Sequence, residues 1–150
     1  MVALVYRGYG PESTAGPRLV TVEDHTGFIA PLPHHALHGA DGFSWGYGGS
    51  GPADLARSLI IHALGKAALC TTCRGTAVIL HARAMADQPE PTPCTRCHRG
   101  YTVSMDLYQL FKADVIARLP VTGWTLSHDE VMRWLSQHAS RLSTFDDLTA

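Results

Sequence analysis

The chain has 150 residues, a net charge of −1, and 45% hydrophobic against 17% charged residues. That balance describes an ordinary globular protein, one domain or a small domain carrying an insertion, and argues against a disordered chain. No apolar run reaches the length of a membrane span, and the near-neutral charge makes no global electrostatic case for nucleic acid.

Residues 3–7 and 19–23 are β-branched or aromatic-containing runs separated by Gly8, Gly10, Pro11, Gly16 and Pro17, which predicts an antiparallel pair of strands. Residues 28–32 suit a third short strand. Residues 34–42 read as loop, and 43–51 lead into a helix. There Gly51 suits the cap, Pro52 the first helical position, and Asp54 the third, where a carboxylate favours the helix dipole. Leu55, Leu59, Ile60, Ala63 and Leu64 form its apolar face, and Gly65 ends it. Residues 76–81 are strand-like, and 87–93 form a proline-rich turn. Residues 105–119 predict a helix stopped by Pro120, with Leu107, Leu110, Phe111 and Val115 as its buried stripe. Ser127 to Glu130 is a capping box with Leu126 and Val131 as a hydrophobic staple, so a third helix follows and buries Val131, Trp134, Leu135 and His138. Residues 140–150 read as a flexible acidic tail.

The four cysteines fall as Cys70-x2-Cys73 and Cys94-x2-Cys97, with twenty residues between the pairs. This is the spacing of a tetrathiolate zinc site, each pair forming a tight knuckle around one ion. Gly75 and Gly100 follow the pairs closely, and their freedom to take φ > 0 lets amide N–H groups turn toward the thiolates. Two disulfides fit less well, because the chain opens Met-Val-Ala-Leu-Val-Tyr-Arg without a signal-peptide core, so a cytoplasmic location is expected. A redox Cys-x2-Cys would not explain the second pair. An iron–sulfur centre also uses four cysteines and stays open. A closed shell of four thiolates leaves no position for substrate, so one structural Zn2+ is expected.

Charge is unevenly placed. Residues 66–103 carry a net +3, against −2 for 1–65 and −2 for 104–150. Arg74, Arg96, His98 and Arg99 cluster at the knuckles and are the candidate contacts to nucleic acid or a protein partner. The blander reading is that they balance a zinc–thiolate centre of charge near −2.

The segment Gly42-Phe-Ser-Trp-Gly-Tyr-Gly-Gly-Ser-Gly-Pro-Ala-Asp-Leu-Ala56 is glycine-rich and runs into a helix. Such loops can cradle phosphate. Here the P-loop lysine is missing, Pro52 removes an amide, and Asp54 puts negative charge where phosphate would sit. Two readings stay open: a loop that stacks a ligand on Trp45 and Tyr47 against Gly48, Gly49, Ser50 and Gly51, or a structural turn whose aromatics pack over the sheet.

This segment resembles the signature of a family of small proteins of unknown function common in bacteriophages, prophages and plasmids. Residues 108–115, 124–127 and 134–135 resemble that family's C-terminal half, and the opening strand with Leu19-Val-Thr-Val22 its start. The resemblance covers roughly residues 1–65 and 104–138, and the cysteine segment departs from it. It implies a shared fold and a mobile-element setting and lends no catalytic residues.

Nine histidines invite further metal sites. His34 and His38 have the i,i+4 spacing of a ligand pair on a helix, but Pro31, Pro33 and Gly39 argue against a helix there. His98 suits support of the cysteine shell, while His62 and His138 lie on helices. No nucleophile–base arrangement is defensible from spacing. The expected fold is α+β: a small antiparallel sheet packed on about three helices, its core split between 1–65 and 104–139, with a zinc-ribbon-like subdomain inserted at 66–103. The expected function is that of a non-enzymatic zinc-binding accessory protein of a phage or mobile element, contacting nucleic acid or a host protein. The alternative is capture of a nucleotide-like small molecule at the Trp45 loop, in an anti-defence role. A membrane partner is not expected.

Overall fold

The hydrophobic strands and helices assemble as an α+β fold. A computed structural model describes residues 3–10, 18–39, 41–81 and 88–138. Strands β1 (Val5–Tyr9), β2 (Val20–Glu23), β3 (Ile29–Pro31) and β6 (Gly123–Ser127) form one antiparallel sheet in the order β3-β2-β1-β6. A two-stranded sheet holds β4 (Val78–His81) and β5 (Glu90–Pro93). The helices are α1 (Ser50–Leu64), α2 (Met105–Asp114) and α3 (His128–Gln137).

Alternation along the strands turns Tyr6, Val20, Val22 and Trp124 inward, and α1 lies in the core beside them. Gly8 is what lets Trp124 cross β1, since a methyl group at Gly8 would overlap the indole. Helix α1 is buried nearly all round: Leu55, Ala56, Leu59 and Ile60 have no exposure. Each of its large apolar side chains contributes about 1.5–3 kcal/mol on burial. Leu107, Tyr108 and Phe111 of α2 and Val131 and Leu135 of α3 close the same core.

Several boundaries differ from the sequence reading. Helix α1 begins at Ser50 with Gly49 as its extended cap, so Pro52 sits inside the first turn, where no intrahelical N–H is needed anyway. Helix α2 ends at Asp114 and tightens into a 3-10 turn at Ile116–Arg118 before Pro120. Half of the expected proline-rich turn is strand β5. Cys94 N donates to Ala77 O, which sets the parity so that Pro91 and Pro93 point their missing N–H groups away from β4. Strand β6 was not expected, and it pairs with β1 from Val5↔Ser127 to Tyr9↔Gly123. The capping box is half present: Ser127 Oγ accepts from Glu130 N at 3.0 Å. Trp134 and His138 are half-buried and stack on each other at 4.0 Å. The predicted acidic tail and the loop between the first two strands lie outside the described residues.

Candidate metal centre

The first knuckle leaves α1 through a 3-10 turn at Gly65–Ala68. Its base is tied to the second knuckle by main-chain bonds, Cys70 N to Gly100 O (3.0 Å) and Thr102 N to Ala68 O (2.8 Å). Within each knuckle the chain turns sharply. Arg74 and Gly75 have φ of 57° and 87°, Arg99 and Gly100 of 55° and 92°. These left-handed turns aim amides at sulfur: Ala77 N donates to Cys73 Sγ and Gly100 N to Cys97 Sγ, each at 3.3 Å. The knuckles meet at their glycines, where a methyl group on Gly100 would overlap the Gly75 carbonyl oxygen. Because that neighbour is backbone and cannot swing aside, Gly100→Ala is expected to cost about 1–3 kcal/mol. The loss would appear as weaker metal retention against a competing chelator.

All four Sγ atoms lie within 4.8 Å of one another. Cys70–Cys94 and Cys73–Cys97 are 3.9 and 3.6 Å apart. A tetrahedron with metal–sulfur bonds of about 2.3 Å has edges of about 3.8 Å, whereas a disulfide needs about 2.0 Å. The thiols are free and spaced as ligands. Their ionisation is unequal. Against the desolvation that raises it, the Ala77 amide and the neighbouring thiols pull Cys73 down to about 6. Burial and the thiols around it push Cys97 well above the usual thiol range. A divalent cation among the four sulfurs would take over the role of the thiol protons. Among the described residues, these cysteines are the group whose ligand atoms converge in this way. His34 and His38 instead spend their Nε2 atoms on Asp54 (3.0 Å) and Tyr108 Oη (2.7 Å).

Three polar residues of α1 tie the core to loop 34–39 and, through Arg57, to the second knuckle. Asp54, Arg57 and Ser58 are buried at i, i+3 and i+4 on an otherwise apolar helix. Asp54 accepts N–H bonds from Leu37 (3.1 Å), His38 (2.9 Å) and Gly39 (3.2 Å), besides the His34 contact. Burial would raise this carboxyl, yet these donors, His38 foremost, hold it below its usual value. Ser58 Oγ accepts from His35 N at 3.0 Å. Arg57 donates to His35 O (3.1 Å) and His98 O (3.2 Å), joining loop 34–39 to the second knuckle. The Asp54 carboxylate thus organises a loop and is not a helix-dipole partner. Three polar residues on one side of a helix that is apolar elsewhere were the available signal for this network.

The structure separates the residues singled out in the sequence. Arg74, Arg96 and Arg99 are exposed, whereas His98 is half-buried, stacked parallel to Tyr108 at 6.2 Å. Trp45 has no exposure. Its Nε1 donates to Pro120 O (2.9 Å), and Trp124 meets it edge-on at 5.6 Å. Arg18 donates to its carbonyl and lies over its ring at 4.9 Å. That ring has no free face for a ligand. Tyr47 is 52% exposed and bonded through its hydroxyl to Ser44 Oγ (2.8 Å). Gly48 has open space around it, Gly49 packs on Tyr47, Ser50 opens α1, and Gly51 lies against Ser44.

Residues 6–76 match a family described as a family of unknown function (DUF6166). The match falls just short of half the chain's 150 residues. It runs past residue 65, where the resemblance was read to stop, and takes in the glycine loop, α1 and the first knuckle. Cys94, Cys97, α2 and α3 lie beyond it. The comparisons with curated proteins and with solved structures gave no match. No helix among the described residues is long and apolar enough to cross a membrane.

Proposed function

We propose that the chain is a non-enzymatic binding module in which one zinc ion, held by Cys70, Cys73, Cys94 and Cys97, stabilises an insertion at 66–103, and that the knuckle arginines contact nucleic acid. The observation that carries this is the placement of three exposed guanidinium groups, Arg74, Arg96 and Arg99, each within two residues of a cluster thiol. Guanidinium groups on rigid turns suit phosphate oxygens, which accept two parallel N–H bonds. Zinc suits four sulfurs at tetrahedral spacing and would act structurally, since the shell is closed. Reduced thiols fit a cytoplasmic setting, and the resemblance of the glycine loop supports a bacteriophage or plasmid context.

Binding of this kind depends on salt. Three phosphate contacts predict an affinity loss of roughly 40-fold between 50 and 200 mM salt, from a slope of about −0.9 per contact. Fluorescence anisotropy with labelled single-stranded DNA, duplex DNA and RNA would read it. The double variant Arg74→Ala/Arg96→Ala should reduce the slope by about two. Absence of binding to every probe at 50 mM salt would reject the nucleic-acid reading in favour of a protein partner.

A further inference from the structure

The seam between loop 34–39 and the second knuckle brings two guanidinium groups, Arg57 and Arg99, near one another. Arg57 is 2% exposed, lies over the Tyr101 ring at 5.6 Å, and has no partner for its Nε–H. Its bonds go to neutral carbonyls, and among the described residues it forms no ion pair. Asp54, one turn earlier on α1, is already occupied by its four donors. Burial lowers the Arg57 pKa, while the nearby Tyr108, Tyr101 and Asp54 favour its charged form and Arg99 opposes it. Two guanidinium groups beside the single Asp54 carboxylate leave a positive potential at the nearest opening.

That opening lies beside it. Ala36, Leu37, His38, Gly39 and Arg99 line a cavity of about 290 Å3, close to the lower end of small-molecule sites, which run from about 300 to 1,000 Å3. Arg99 is presented there by its left-handed turn at φ 55°. His38 is fixed at both ends, its amide on Asp54 and its Nε2 on Tyr108. Burial raises the Tyr108 phenol, so its hydroxyl stays protonated and shares a hydrogen bond with His38 Nε2. With the hydroxyl as donor, the ring's own proton is on Nδ1, where it can be given to a ligand.

We infer that this seam binds a phosphate group, with Arg99 and His38 Nδ1–H donating to its oxygens and the Arg57 charge behind them. The cavity exceeds a bare phosphate and admits a sugar-sized substituent, so phosphate esters are the ligand class. Core and metal lobe each supply one wall, and the site exists only when both are folded. It shares Arg99 with the nucleic-acid reading and stands without it, because a free phosphate ester suffices.

The test uses the metal-loaded full chain, with inorganic phosphate and adenosine 5′-monophosphate as probes and chloride at matched ionic strength as control. Both probes should raise the melting temperature above the chloride control. In calorimetric titration Arg99→Asn, a change that a left-handed backbone tolerates, should weaken phosphate at least about tenfold, as expected for a charge-assisted contact. Arg74→Ala, outside the cavity, should change it less than about twofold on the same grounds. No shift above chloride, or equal losses in Arg99→Asn and Arg74→Ala, would overturn the inference. A 5′-phosphorylated oligonucleotide and its 5′-hydroxyl twin separate the sources. Tighter binding of the phosphorylated one assigns the phosphate to a chain end, and equal binding alongside the monophosphate shift assigns it to a free ester. A phosphate shift without any oligonucleotide binding would reject the nucleic-acid reading and keep this one.

Discussion

Cys73→Ser is expected to abolish metal binding and unfold the lobe at 66–103. Structural zinc in small sites supplies about 10–16 kcal/mol of apparent binding energy, as much as the whole stability of a typical domain. Little else holds the lobe together, because its two-stranded sheet exposes Val78 and Leu80 and its knuckles pack glycine on glycine. The core should feel the loss as well. Arg57 gives up His98 O, and a buried guanidinium deprived of one acceptor costs about 1–3 kcal/mol. For a chain of this size that lowers the melting temperature by roughly 3–10 °C. Metal analysis should find one zinc per chain in the wild type, without the iron and sulfide of a cluster. Hydrogen exchange should show the lobe's amides exposed in the variant while α1 stays protected. A wild-type chain that melts identically with and without chelator, carrying four free thiols, would refute the metal centre.

What could be read in advance follows the range of the forces involved. Cysteine spacing and the Ser127 cap were legible because both are local, with two residues between paired ligands and two between cap and donor. The apolar faces of α1 and α3 were legible from their period. Strand β6 was not, since five residues directly before a helix cap become a strand only by pairing with β1, at the far end of the chain. Prolines 91 and 93 argue for a turn until the register shows that their nitrogens face outward. Trp45 sits in a glycine loop, the usual setting for an exposed aromatic, yet Pro120, Trp124 and Arg18 from three other segments bury it. The Asp54–Arg57–Ser58 network depends on the same kind of assembly. Its partners are main-chain groups of a loop and a knuckle, and main-chain groups carry no sequence signal. The cysteine cluster was therefore readable from its own residues, whereas the cavity beside it required the fold.

Asp54→Ala carries the largest expected effect in the core. Its carboxylate serves three loop amides and one imidazole from a fully buried position, so truncation leaves those amides without an acceptor. The expected loss is about 3–5 kcal/mol, the range for breaking a buried charged network. Asp54→Asn keeps the shape and one acceptor oxygen and should lose less, which separates charge from packing. The pH dependence gives an independent check. The folded-state pKa lies below that of the unfolded chain, so the carboxylate's contribution is fully present above the unfolded value of about 3.9. It disappears as pH falls through the lower folded value. Urea unfolding across the acid range should therefore show stability falling below about pH 4 in the wild type, and a shallower fall in Asp54→Asn. Parallel acid limbs in the two proteins would mean that the carboxylate's charge does not hold the loop. Since that loop positions His38, Asp54→Asn should also weaken phosphate at the seam while leaving the zinc content unchanged, a combination that damage to the metal lobe would not produce.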